Sequence, residues 1–178
     1  MGLRNIVKKE IEAELEAILK GRELRRDLQR ELLEEHLWVL QITLNIPGTP
    51  KNVSGDLECL LATEKALYSQ GFPPNSRIRK LCENSAGKAL FFAGDVPSPR
   101  RIKEMTVALE ERLPWGRLLD LDVLTASGAL SRKELGFPPR KCLLCNEEAK
   151  ICARLGKHGF EELRSKAEEL LSLALAGS

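Results

Sequence analysis

Pro114-Trp115-Gly116-Arg117-Leu118-Leu119-Asp120-Leu121-Asp122-Val123-Leu124 is the stretch on which the reading of this chain turns. Pro114 and Gly116 end the segment before it, and Leu119, Leu121 and Val123 then alternate with Asp120 and Asp122. Successive side chains of a strand point to opposite faces, so the pattern predicts a strand with one apolar face and two carboxylates side by side on the other. Paired carboxylates suit magnesium, a hard cation that takes oxygen ligands and is commonly shared with a polyphosphate. Arg117, just upstream, is a phosphate-binding candidate. A plain amphipathic strand with its charges in solvent has the same pattern, and the segment that follows favours the metal-binding alternative.

That segment carries Ser131-Arg132-Lys133, then Leu135-Gly136-Phe137-Pro138-Pro139-Arg140-Lys141, and then Cys142, Cys145, Cys152 and His158. Three thiols and an imidazole with a two-residue gap in the first pair suit a tetrahedral structural zinc. The same thiols could instead be small buried hydrophobes packing the strand against the last helices. No cysteine lies near His36 in sequence, so a thiol nucleophile is not expected, and neither histidine is assigned to catalysis. His36 is expected at a helix end or a strand entrance.

Upstream, Ile6 to Trp38 is rich in Glu, Leu, Ala, Lys and Arg, with Ile11, Leu15, Ile18 and Leu19 at helical spacing. Gly21 predicts two helices, or one broken there. Arg22, Arg25, Arg26 and Gln29 fall on one side of that helix, as a phosphate clamp or as a solvated face. Leu37 to Ile46 reads as a strand that stops at Pro47-Gly48-Thr49-Pro50-Lys51, a loop able to bind phosphate through amides and an ammonium. Helices are predicted over 56–70, 99–113, 149–156 and 158–176, and a strand over 89–93. Helices and strands alternate irregularly, which predicts an α+β class with a small mixed sheet covered by helices.

With 178 residues the chain is long enough for one core and is read as a single domain over 1–178. Its N-terminal helical region spans about 1–36 and its Cys-rich helical region about 140–178. A net charge of +2 does not point to bulk nucleic acid or a membrane surface. Five Phe, two Trp and one Tyr leave little stacking surface for a single-strand binder, so a small anionic substrate fits better than a polymer. No apolar run reaches the roughly 18 residues that a span needs, and the first residues form a charged helical pattern rather than a signal peptide. With five cysteines and no sign of secretion, reduced thiols and a cytoplasmic location are expected.

The run Gly116-Arg117-Leu118-x-Asp120-x-Asp122-Val123, Ser131-Arg132, Pro138-Pro139-Arg140 and Cys142-x-x-Cys145 resembles the citrate lyase holo-[acyl-carrier protein] synthase family, the phosphoribosyl-dephospho-CoA transferases. Arg22, Glu23, Arg25 and Gln29 are similar to that family's early helix, and Gly48 and Lys51 to its Pro-Gly-x-x-Lys loop. Leu113 and Leu119 stand where the family commonly has a histidine and an aromatic, so no histidine base is expected at 113. The resemblance implies transfer of phosphoribosyl-dephospho-CoA from 2'-(5''-triphosphoribosyl)-3'-dephospho-CoA to a serine of the citrate lyase acyl carrier subunit, with release of diphosphate. It implies catalytic roles for Asp120, Asp122 and Arg117, with magnesium on the two aspartates. Arg22, Arg25, Gln29, Gly48, Lys51, Arg132 and Arg140 are implied in substrate binding. Glu110 is a candidate third carboxylate. The competing expectation is a non-enzymatic, zinc-stabilised module docking on an acidic partner.

Overall fold

A computed structural model describes residues 2–72 and 78–177. Its elements run α1 (Gly2–Glu35), β1 (Trp38–Leu44), α2 (Asp56–Ser69), β2 (Ile78–Asn84), β3 (Gly87–Gly94), α3 (Pro99–Arg112), β4 (Leu119–Thr125), β5 (Gly128–Ala129), α4 (Ala149–Leu155) and α5 (Phe160–Ala176). The class is α+β, around one five-stranded sheet of order β2-β3-β1-β4-β5. Every pairing is antiparallel, which corrects the expectation of a mixed sheet. The reason lies in the connections. α2 joins β1 to β2 and α3 joins β3 to β4, but a third strand is inserted between the members of each pair. This is the split βαβ repeat of ferredoxin-like folds.

Alternation in the strands gives the sheet two covered faces. Leu40, Ile42, Leu90, Phe92, Leu119, Leu121 and Val123 enter the main core with residues of α2, α3 and α5. Val39, Ala89, Phe91 and Ala93 face the other way and pack against Leu32 of α1, with Leu28 and Leu33 beside it. Ser98 caps α3 by accepting the Arg101 amide at 3.4 Å, and Pro99 follows in the first turn. His36 sits where expected, buried between the end of α1 and the start of β1, with Nδ1 3.8 Å from Asp95.

The expected break at Gly21 is absent, and α1 runs through it. Asn84, at the β2–β3 turn, donates through Nδ2 to the Gly21 carbonyl at 3.1 Å and accepts the Ala86 amide at 2.8 Å. A Cβ at Gly21 would collide with the Asn84 side chain and meet the Ala86 nitrogen at 3.0 Å. The glycine marks a close helix-to-hairpin approach, not a helix end. β2 escapes the sequence reading because Ile-Arg-Lys-Leu-Cys-Glu-Asn is a charged edge strand with no fully buried residue. Among the described residues no helix is long and apolar enough to cross a membrane.

Candidate active site

The approach to β4 is set by Gly116, where a Cβ would strike the Glu110 carbonyl of α3. Trp115 anchors the same turn by donating its indole N–H to Thr63 Oγ1 at 3.0 Å. From there β4 pairs with β1 so that Asp120 lies opposite Thr43 and Asp122 opposite Gln41. Leu119, Leu121 and Val123 enter the main core, so both carboxylates share the face that α1 covers. The Leu121 amide donates to Glu110 Oε1 at 3.2 Å, and its carbonyl accepts Lys103 Nζ at 2.9 Å. Lys103 is 6% exposed, and burial lowers its pKa against the pull of Glu110, Asp122 and Asp120.

Charge is crowded at this edge. Burial first, and then the Asp120 and Glu110 charges, push the Asp122 carboxyl up to about 6, although Lys103 and Arg140 act in the opposite direction. Asp120 Oδ1 accepts Arg140 Nη1 at 2.8 Å. Arg132 places Nη2 2.5 Å from Glu110 Oε2 and Nη1 3.0 Å from Glu111. Glu110 is thus beside the aspartates, as anticipated, but is already engaged by the Leu121 amide and Arg132. Two close carboxylates, one of them raised by burial and by its neighbour's charge, form a donor set that a divalent cation would relieve. Asp120 and Asp122 therefore fit magnesium on the chemistry of the oxygens present.

Two cavities meet at Asn45 and Asp120. The larger, about 780 Å³, includes Asp122, Arg132 and Arg140, with Leu130, Phe137 and Pro139 as apolar walls. The smaller, about 290 Å³, lies against α1 and is lined by Arg22, Arg25, Arg26, Gln29 and Lys51. Arg25 donates to the Gly87 carbonyl at 2.6 Å, Gln29 to Gln41 Oε1 at 2.8 Å, and Lys51 to the Ile46 carbonyl at 2.5 Å. Burial and the charges of Arg22 and Arg164 lower the Lys51 pKa. Gly48, at φ 64°, turns its loop against Phe160 and lines neither of these cavities. Arg164 holds the loop by donating to the Pro47 and Pro50 carbonyls at 3.0 and 3.1 Å.

Arg117 lines neither of these two cavities. Its guanidinium donates to the Cys142 and Cys145 carbonyls at 3.3 and 3.2 Å and to Asn146 Oδ1 at 2.9 Å. Its own carbonyl accepts Arg140 Nη2 at 3.1 Å, so it links the cysteine loop to the arginine that holds Asp120. In that loop the ligand atoms of Cys142, Cys145, Cys152 and His158 all lie within 4.8 Å of one another, with Cys145 and Cys152 sulfurs 3.5 Å apart. Tetrahedral zinc at about 2.3 Å from sulfur sets ligand sulfurs about 3.8 Å apart. His158 Nε2 is buried without a hydrogen-bond partner. Burial and neighbouring thiols push Cys152 up to about 12. At Cys142 burial is outweighed by the Leu144 and Cys145 amides together with the Cys152 and Cys145 thiols, which bring that thiol down. The donor set fits a zinc ion, whose charge would let all three thiols ionise.

Lys103, Asn45, Gln41 and Thr43 are neighbours of the candidate site that sequence reading missed. Lys103, Thr106 and Glu110 fall at i, i+3 and i+7 beside the buried stripe of α3, which was the available signal.

The sequence profile of one family, described as apo-citrate lyase phosphoribosyl-dephospho-CoA transferase, matches residues 13–173. The chain belongs to this family. A Streptococcus pyogenes serotype M18 protein named probable apo-citrate lyase phosphoribosyl-dephospho-CoA transferase is 36% identical over 137 residues, covering 75% of this chain and 71% of that protein. A Vibrio cholerae serotype O1 protein of the same name is 31% identical over 153 residues, covering 78% and 80%. The protein is accordingly a transferase, and the non-enzymatic module is set aside. The family match spans both cavities and the cysteine loop.

Proposed function

We propose that the protein transfers phosphoribosyl-dephospho-CoA from 2'-(5''-triphosphoribosyl)-3'-dephospho-CoA to a serine of the apo acyl carrier subunit of citrate lyase. The observation that carries this reading is the same-face pair Asp120 and Asp122 at the junction of two cation-lined cavities. The carrier's serine oxygen bonds to the α-phosphorus. The bond from that phosphorus to the oxygen bridging the β-phosphorus breaks, diphosphate leaves with that oxygen, and the serine proton passes to water. Such a transfer asks the protein for positioning and charge rather than a covalent nucleophile.

Asp120 and Asp122 would hold a magnesium ion, which when bound supplies Lewis-acid neutralisation of the triphosphate. Arg140, pinned between Asp120 and the Arg117 carbonyl, fixes the carboxylate and offers charge to the phosphates. Arg132 stands beside it, oriented by Glu110 and Glu111. Arg117 acts through position, by holding the cysteine loop. Cys142, Cys145, Cys152 and His158 would hold a structural zinc. The five free thiols support placing the enzyme in the reducing cytoplasm.

The test incubates the protein with magnesium, the triphosphoribosyl donor and apo-carrier and reads the carrier by intact mass. Wild type should add the prosthetic group, whereas Asp120→Asn and Asp122→Asn should not, while keeping a folded circular dichroism spectrum. An unmodified carrier with authentic donor and folded enzyme would sink the reading.

A further inference from the structure

We propose that the smaller cavity is the diphosphate site. It holds the β- and γ-phosphates of the donor, the part that leaves, while the larger cavity takes the dephospho-CoA part. This assignment rests on the transfer reading above. Arg22, Arg25, Arg26 and Lys51 all line the smaller cavity, and Asp120 is its one acidic residue. Asp120 is already paired with Arg140. Several cations elsewhere in this protein have close carboxylate partners: Lys88 with Asp56 at 2.8 Å, Arg79 with Glu64 at 2.6 Å, and Arg132 with Glu110 at 2.5 Å. Among the described residues the four cations of the smaller cavity have none. The charges acting on Lys51 are those of Arg22 and Arg164, of its own sign.

A second observation points the same way. Arg25 is 8% exposed, and its Nε is buried without a hydrogen-bond partner. The one nearby group of opposite tendency is the Cys82 thiol. A buried guanidinium with no carboxylate beside it is costly, and an anion in the cavity that Arg25 lines would offset its charge.

Orientation follows from the junction. The reacting phosphorus belongs at Asp120, which both cavities share, so the two halves of the donor diverge from there. A compact polyanion matches the small, cationic side. A bulky nucleotide, whose adenine and the methyl and methylene groups of whose pantetheine arm can pack on apolar walls, matches the 780 Å³ side with Leu130, Phe137 and Pro139. When the α-phosphorus bonds to the serine oxygen, the departing diphosphate keeps the bridging oxygen and is left among Arg22, Arg25, Arg26 and Lys51. Free diphosphate should therefore compete with the donor.

Calorimetry with inorganic diphosphate and, separately, dephospho-CoA tests the assignment, with magnesium present throughout. Arg22→Ala and Lys51→Ala should each weaken diphosphate binding about tenfold or more and leave dephospho-CoA within about threefold. Phe137→Ala should do the reverse. Arg22→Gln, at an exposed position, guards against a folding artefact. The assignment is overturned if diphosphate ignores the Arg22 and Lys51 changes, or if those changes weaken dephospho-CoA instead. The outcomes separate the two readings. A carrier that is modified while diphosphate follows Phe137 and Arg132 leaves the transfer standing and ends this assignment. Diphosphate bound through Arg22 and Lys51 with no carrier modification does the opposite.

Discussion

Burial and the Asp120 charge raise Asp122 to about 6, where an ordinary aspartate titrates near 4, and that shift has a sign that can be checked. Between these two values the folded protein keeps a proton that the unfolded chain has lost. Stability therefore falls as pH rises from about 4 to about 6 and is level above that. Asparagine carries no such cost. In magnesium-free buffer Asp122→Asn should be more stable than wild type at pH 7–8, by roughly 1–3 kcal/mol, and the gap should close below about pH 4. Thermal melts across that range give the answer; a gap that is constant with pH would show that Asp122 titrates alike in both states. The variant should be inactive all the same, because the destabilising charge is the one the proposed site needs.

The cysteine loop and the middle of α1 are each held by partners far away in the sequence. Arg117 donates to the Cys142 and Cys145 carbonyls and to Asn146, while the backbones of Lys141 and Glu148 pair antiparallel and the Ala149 amide donates to the Arg140 carbonyl at 2.8 Å. Removing metal with a chelator should release zinc and lower the melting temperature. Arg117→Ala should destabilise by about 2 kcal/mol or more through lost charged hydrogen bonds. Protein purified without zinc, and an Arg117→Ala variant as stable as wild type, would favour thiols that merely pack. In α1, replacing an interior glycine by alanine ordinarily gains about 1 kcal/mol. At Gly21 the Asn84 side chain and the Ala86 amide occupy the space, so Gly21→Ala should lose stability in urea unfolding. Local signals made much of this legible: alternation gave β4 and its paired aspartates, helical spacing gave Arg22, Arg25 and Gln29, and cysteine spacing gave the cluster of Cys142, Cys145, Cys152 and His158. What no local pattern encodes is partnership. The bonds from Arg117 to the cysteine loop were hidden because its acceptors lie 25 and 28 residues away, and Gly21 looked like a break because Asn84 is 63 residues distant. The antiparallel order was hidden because each helical crossover skips a strand.

The whole molecule stands on two cores of unequal size, one on each face of the sheet. The main core joins α2, α3 and α5 to the strands, whereas α1 is held by a small cluster of Leu32, Val39, Ala89, Phe91 and Ala93. α1 nevertheless supplies Arg22, Arg25, Arg26 and Gln29 to the smaller cavity, so its docking and the integrity of that cavity are linked. Leu32 is 4% exposed, and truncating such a side chain costs roughly 2–5 kcal/mol. Because the lost contacts belong to the smaller cluster, Leu32→Ala should act mainly on the attachment of α1. In hydrogen exchange its amides around Arg22 to Glu35 should lose protection, while those of β1, β3 and β4 keep theirs. The tie from Asn84 to Gly21 and the Arg25 bond to the Gly87 carbonyl would still hold the middle of the helix near the β2–β3 turn. Loss should therefore be steepest toward the Leu32 end. An even loss over α1 and every strand would mean that both cores unfold as one unit, and that the helix cannot loosen without the sheet.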